Sequence, residues 1–287
     1  MSSILSVITQ SLILSIMAIG VYITYKILDF PDMTADGSYT MGASVVAASL
    51  VNGMSPITAT LLAVLSGSLA GMITGILHVK FKITSLLSGI LVMGMLYSVN
   101  LRIMGKSNIP LFSFNHLFNS TESPILLALV FMIICKLFLD LFLKTSIGYT
   151  LKGVGDNSQM IKSLGIDIGY IKILGLMISN GLIALAGGLM AQFQGFTDVN
   201  MGTGTLVLGI ASIIIGLTLF KKIKFVNNTS AIVVGAFIYQ FTIYYAMQRG
   251  MLPTDLKLIT ALVIVAFLSI SNIKFPKKNK DKEKAVA

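Results

Sequence analysis

Three aspartates stand in glycine-containing stretches at the edges of apolar runs. Asp32 and Asp36 lie in DFPDMTADGSYTMG, and Asp198 lies in AQFQGFTDVNMGTG. An ionisable group at membrane depth is costly and points by default to a solute or ion path. With their neighbours Tyr39, Gln192, Phe196, Asn200 and Gly204 they form the candidate path residues. The same pattern has a plainer reading, in which each aspartate caps the following helix and glycine turns the chain.

A second stretch is polar and short. Over residues 151–167, Asp156 or Asn157 can cap a helix that runs to about Leu164, and Gly165 can stop it. Met160, Ile161 and Leu164 fall at helical spacing and make a small apolar face. Such a helix either rests on lipid headgroups or fits a groove on a separate ATPase. Motifs for catalysis are missing. Gly105-Lys106-Ser107 ends like a Walker A loop, but position 100 is Asn where that loop needs its first glycine. His78 and His116 stand apart, which leaves no metal cluster, and neither a nucleophile elbow nor HExxH occurs. The chain is therefore expected to be no enzyme, to bind no cofactor or metal, and to hydrolyse no ATP itself.

The elements that must hold these residues are membrane helices. Only 11% of the 287 residues are charged and 55% are hydrophobic, against about 25% charged in an ordinary soluble domain. A spanning helix needs roughly 20 apolar residues, and nine segments approach that: Ile4–Tyr25, Ser38–Gly53, Ile57–Val79, Thr84–Leu101, Pro124–Phe142, Tyr170–Ala191, Thr205–Phe220, Thr229–Met247 and Leu256–Ile273. Ser38–Gly53 and Thr205–Phe220 are short, and each follows a polar, glycine-containing stretch. The expected fold is all-α, a polytopic transmembrane bundle of about 8–10 spans with broken helices. Residues 1–273 form the membrane domain and 274–287 a basic cytoplasmic tail.

The formal charge of +10 does not indicate nucleic acid, because 15 of the 21 Lys and Arg residues cluster in turns or at the C-terminus. Those turns hold Lys80 and Lys82, the 144–172 stretch, and Lys221 to Lys224, and they read as cytoplasmic markers. Loops 102–123, 192–204 and 248–255 then face outward. The side of the N-terminus depends on whether residues 27–53 cross fully or re-enter; the reading adopted is a cytoplasmic start. Lys136, Asp140 and Lys144 share one helix face and read as a structural pair near the cytoplasmic end. Cys135, within an apolar run, reads as a packing residue.

Two internal echoes stand out. GSYTMG (37–42) and GTLVLG (204–209) share Gly-[Ser/Thr]-x-x-x-Gly. Lys82 precedes Tyr97, and Lys224 precedes Tyr239, by the same spacing. One extra span between the echoes would point the two broken segments oppositely, the pattern of inverted repeats. The alternative is that spaced glycines are simply common where membrane helices pack.

Beyond these residues, the run from GVGDNSQMIKSLGIDIGY to GTGTLVLGIASIIIG resembles the permease subunits of ABC importers of the branched-chain amino acid and ribose class. In that family a Gly-x-Asn…Gly-Ile segment is the loop that docks on the ATPase, and Gly155, Asn157, Gly165 and Ile166 match it. AQFQGFTDVNMGTG is similar to a Gram-positive subgroup of tryptophan/tyrosine permeases, and DMTADGSYTMGA to the family's first broken segment. The resemblance implies a type II-like importer permease in a bacterial plasma membrane. Its implied partners are P-loop ATPase subunits that carry the ATP, an extracellular solute-binding lipoprotein, a second permease copy and membrane lipid. The implied coupling residues are Gly155, Asp156, Asn157, Met160, Leu164, Gly165 and Ile166. The implied solute is an amino acid, and the subgroup extends that to an aromatic one. Its ammonium would meet an aspartate. Its carboxylate would meet open backbone N–H groups at Gly204-Thr205 or Gly37-Ser38. Phe30, Tyr39, Phe193 and Phe196 would pack its side chain. An ion-driven secondary transporter is the competing expectation, with the three aspartates as proton or cation sites.

Overall fold

Each long apolar run becomes a helix, and local signals set its ends. The computed structural model describes residues 3–119, 123–221 and 226–250, with scattered positions between 255 and 269. Helix α1 (Ser3–Tyr22) continues through a wider π turn at Ile23–Ile27. The chain then bends at Asp29, whose φ is 49°, and enters α2 (Thr34–Val51). Helices α3 (Pro56–Val79), α4 (Ser85–Met104) and α5 (Pro124–Phe142) follow. Pro56 and Pro124 each occupy the first helical position, where a missing N–H costs nothing. Two short helices, α6 (Ser146–Asp156) and α7 (Ser158–Ser163), lead to α8 (Ile168–Gln194). Gly195, at φ 74°, stops α8, and α9 (Thr205–Leu219) and α10 (Asn228–Gln248) complete the described helices.

Burial sorts these helices into a centre and a rim. The most apolar windows of α1 and α8 are 72% and 78% buried, whereas those of α3, α4, α5 and α10 are only 22–39% buried. The rim helices turn Leu61, Leu65, Leu126 and Leu141 outward, which suits lipid and not water. Among the described residues, six helices are long and apolar enough to cross a membrane. Helices α2 and α9 are the two short ones expected from the sequence. The expected span Leu256–Ile273 falls mostly, and the tail 274–287 wholly, outside the described residues.

Helix α2 begins at Thr34, earlier than the expected Ser38, because Asp32 accepts the Thr34 amide at 2.9 Å and opens the helix there. It then crosses the bundle instead of re-entering. Thr34 bonds Thr74 near the C-terminal end of α3, and Ser44 meets Met104 at the C-terminal end of α4. The N-terminal expectation is overturned for the same reason. Asn228, at the basic end of the bundle, donates to the Tyr22 hydroxyl at 3.0 Å, and Gly155 packs on the Ile27 carbonyl. The C-terminal end of α1 therefore shares the end that carries α6 and α7, and the start of α1 lies at the opposite one.

A two-stranded sheet interrupts the all-α pattern. Strand β1 (Asn108–Pro110) pairs antiparallel with β2 (Phe196–Asp198), Asn108 opposite Asp198. It ties the loop after α4 to the segment after α8. The two echoes behave differently. Helices α2 and α9 run in opposite directions across the bundle, while α4 and α10 both start at the basic end and run the same way. The inversion therefore covers the first echo alone.

Candidate solute path and coupling segment

The first site is built where α2 and α9 both begin. Chain approach here depends on the absence of side chains. A Cβ at Gly42 would overlap the Ala184 carbonyl, and one at Gly187 would overlap the Tyr39 carbonyl. Helices α2 and α8 thus pack backbone on backbone, as small residues allow in membranes. That contact brings the start of α2 under the segment 195–204, which folds back into the bundle. Gly202 packs on the Asp36 carbonyl, and its amide reaches the Thr40 hydroxyl at 3.1 Å.

Asp36 then caps a helix that is not its own. Its Oδ2 accepts from the Gly204 amide at 2.8 Å. Its Oδ1 accepts from the Leu206 amide at 2.7 Å and from the Thr205 hydroxyl at 3.1 Å. The first amides of α9 are orphan donors with partial positive charge, and a carboxylate is the natural acceptor. The N-terminus of α9 is therefore filled by the protein. It is not open to a solute carboxylate, contrary to the expectation for Gly204-Thr205.

Asp32 is placed elsewhere. It is 2% exposed and accepts from the Thr34 amide and from Asn180 Nδ2 at 2.8 Å. Asn180 in turn accepts from the Ser38 hydroxyl at 2.7 Å. This buried network joins α2 to α8, and satisfied polar groups of this kind hold membrane helices together. Gln192 has a similar role: it donates to Thr60 at 3.0 Å and accepts the Leu117 amide at 3.0 Å. Phe30 packs edge-on against His78, and Phe193 against Phe118.

The remaining candidates meet in one cavity of about 730 Å³ between α1, α9, α10 and the folded-back segment. Tyr39, Phe196, Asp198, Asn200 and Gly204 line it; Asp32, Asp36 and Gln192 do not. Asp198 supplies the wall's carboxylate. One of its oxygens accepts the Asn200 amide at 2.8 Å, and the other has no protein partner among the described residues. Among the described residues, no lysine or arginine lines the cavity. Sequence reasoning missed Gln10, Tyr239 and Gln240 in this wall. Gln240 donates to Gln10 at 2.8 Å, and the Tyr239 hydroxyl lies 2.7 Å from that of Thr260. Their signal was a polar residue inside an apolar run, which a packing role explains equally well.

The second site lies at the basic end. Asn157 separates α6 from α7 and its side chain accepts the Met160 amide at 3.1 Å, the cap expected from the sequence. Leu164 and Gly165, with φ 77°, end α7. The segment is nevertheless two helices and not one, since α6 already runs from Ser146. The small apolar face divides. Ile161 is buried and reaches Gly153, while Met160 and Leu164 are 61% and 64% exposed. Asp156 and Asn157 are exposed, and Ile166 is half-buried against the main core. Gly155 sits in the last turn of α6, where a side chain would strike the Ile27 carbonyl. The candidate coupling segment thus rests on the end of α1.

Comparisons with known proteins agree with this architecture. Residues 3–268 match the family described as the permease component of branched-chain amino acid transport systems. A tyrosine transport system permease protein of Clostridioides difficile is 77% identical over 278 residues, which cover 97% of this chain and 94% of that one. An uncharacterized protein of Rickettsia prowazekii, RP368, is 36% identical over 96% of this chain and 99% of its own length. Among solved structures, PsaBC from Streptococcus pneumoniae in complex with Fab aligns with a TM-score of 0.57 over 97% of this chain and 94% of that one. At 14% identity that likeness speaks for the fold alone. With its apolar helices, short α9 and family match, the chain belongs to the permease components of branched-chain amino acid transport systems and is a multi-pass membrane subunit of an ABC transport system.

Proposed function

We propose that this permease imports an aromatic amino acid through the cavity beside α9, driven by a separate ATPase seated on α6 and α7. The observation that carries the reading is the composition of that cavity. It offers one carboxylate, Asp198, with the aromatic groups Tyr39, Phe196 and Tyr239 within the same 730 Å³. A carboxylate suits the solute's ammonium, and the rings suit a planar side chain. The Clostridioides difficile relative, a tyrosine transport system permease protein, supports the same choice.

Exposed Met160 and Leu164 give α7 an apolar knob for a groove on the ATPase. Movement there reaches α1 directly through Gly155 and Ile27, and α1 lines the cavity through Gln10 and Leu14. Two copies with two ATPases and an external binding protein would complete the transporter. Alternating access then needs the solute to contact the two states differently.

The test is reconstitution. The chain is purified from its native membrane with whatever co-purifies, placed in liposomes, and assayed for ATP-dependent tyrosine uptake against leucine. A co-purifying P-loop ATPase and uptake favouring tyrosine support the proposal. Uptake by the chain alone, driven by an ion gradient, would refute it.

A further inference from the structure

A second cavity, of about 320 Å³, opens at the basic end, away from the path. Its walls come from Tyr22 at the end of α1, Asp140 in the last turn of α5, Lys144 just after it, Lys152 on α6, and Asn227 to Thr229 at the start of α10.

The charges there do not cancel. Asp140 is already satisfied: Lys136 reaches one oxygen at 2.9 Å and the Thr229 hydroxyl the other at 2.6 Å. Lys152 gives one bond, at 3.0 Å, to the Leu143 carbonyl and lies over the Tyr149 ring. Lys144 is exposed and makes no ion pair among the described residues. With Asp140 neutralised by Lys136 from outside the wall, Lys144 and Lys152 are left as two uncompensated positive charges among the described lining residues. Asn227 precedes α10 without a side-chain cap, so the helix's positive end at Asn228 and Thr229 faces the same space.

We propose that this pocket binds a phosphate-bearing anion, either the headgroup of an anionic phospholipid or free phosphate. Basic pockets between membrane helices at the cytoplasmic side suit such headgroups. The positive-inside bias puts this end there. Lys152 belongs to α6, so an occupant would pin the coupling segment to α5 and α10. The site is independent of which solute the path carries.

Binding is read on the full-length chain in neutral detergent by native mass spectrometry. The probes are dioctanoyl phosphatidylglycerol, dioctanoyl phosphatidylcholine and inorganic phosphate. Removing positive charge should weaken binding by about fivefold per lysine, roughly twenty-five-fold for the pair Lys144→Ala with Lys152→Ala. The pair Lys144→Arg with Lys152→Arg should retain binding, Asp140→Asn should tighten it, and Lys106→Ala at the opposite end should leave it unchanged. Exposed Lys144→Gln alone serves if the alanine pair does not fold. Preference for phosphatidylglycerol over phosphatidylcholine with this dependence identifies lipid. Phosphate binding with the same dependence, and no preference between the lipids, identifies the free anion. Binding of neither, or binding that ignores all of these lysine substitutions, overturns the proposal.

Discussion

The Asp36 carboxylate lies 2.7 Å from the amide of Leu206, joining the start of α2 to the start of a helix 170 residues away. With the Gly204 amide and the Thr205 hydroxyl it forms a three-bond cap across the fold. The two broken segments are thus mechanically one unit at the cavity floor.

Asp36→Ala should therefore cost stability as well as transport. The expected loss is about 1.5–3 kcal/mol, the scale of a hydrogen bond to a charged group. Asp36→Asn should cost less, because an amide oxygen still accepts and Asn is a good cap. Thermal unfolding in detergent should rank wild type above Asn above Ala. Equal melting of all three would show that the cap does not hold α9.

Asp198 faces the cavity with one oxygen spare, and Asp198→Asn keeps the acceptor for the Asn200 amide. Its melting temperature should stay within about a degree or two of wild type, as for substitutions costing under 0.5 kcal/mol. Transport should fall about tenfold, the order of 1.4 kcal/mol for a lost charge contact. Loss of folding in place of transport would assign Asp198 to the local turn instead.

At the proposed coupling segment, Gly155→Ala pushes a methyl into the Ile27 carbonyl, while Asn157→Ala removes the cap of α7. Asn157→Ala should destabilise α7 by about 1 kcal/mol and leave the membrane bundle intact. Both variants should insert normally, yet stimulate the ATPase without matching uptake. Full coupling in Gly155→Ala would break the proposed link from α6 to α1.

Between α2 and α8, Gly187→Leu has no room, because the Tyr39 carbonyl occupies the space. Overpacking of this kind costs about 1–3 kcal/mol or more. The expected readout is protein that is made but degraded, or that aggregates on size-exclusion chromatography. Gly94→Leu, where a side chain meets open space, is the matched control.

Much of this architecture was legible in the chain itself. Apolar runs of spanning length, Pro56 and Pro124 at helix starts, and Asn157 before a short amphipathic turn are local signals, and each produced its element. The membrane setting followed from composition, because 11% charge cannot cover a water-facing surface. What the chain could not tell was which acidic residue meets what. Asp32, Asp36 and Asp198 look alike in sequence, each in a polar, glycine-containing stretch at the edge of an apolar run. Tertiary structure alone sends Asp32 to Asn180, Asp36 to the far helix α9, and Asp198 to an open cavity. The physical reason is that a carboxylate takes the role of the donors around it. Those donors lie 148 and 170 residues away for Asp32 and Asp36, and are brought near only by glycine-on-carbonyl packing of α2 against α8. The orientation of α1 was decided the same way: Ser3–Tyr22 carries no charge, and the contacts of Tyr22 with Asn228 and of Ile27 with Gly155 place its end, where Lys26 also lies, at the basic end.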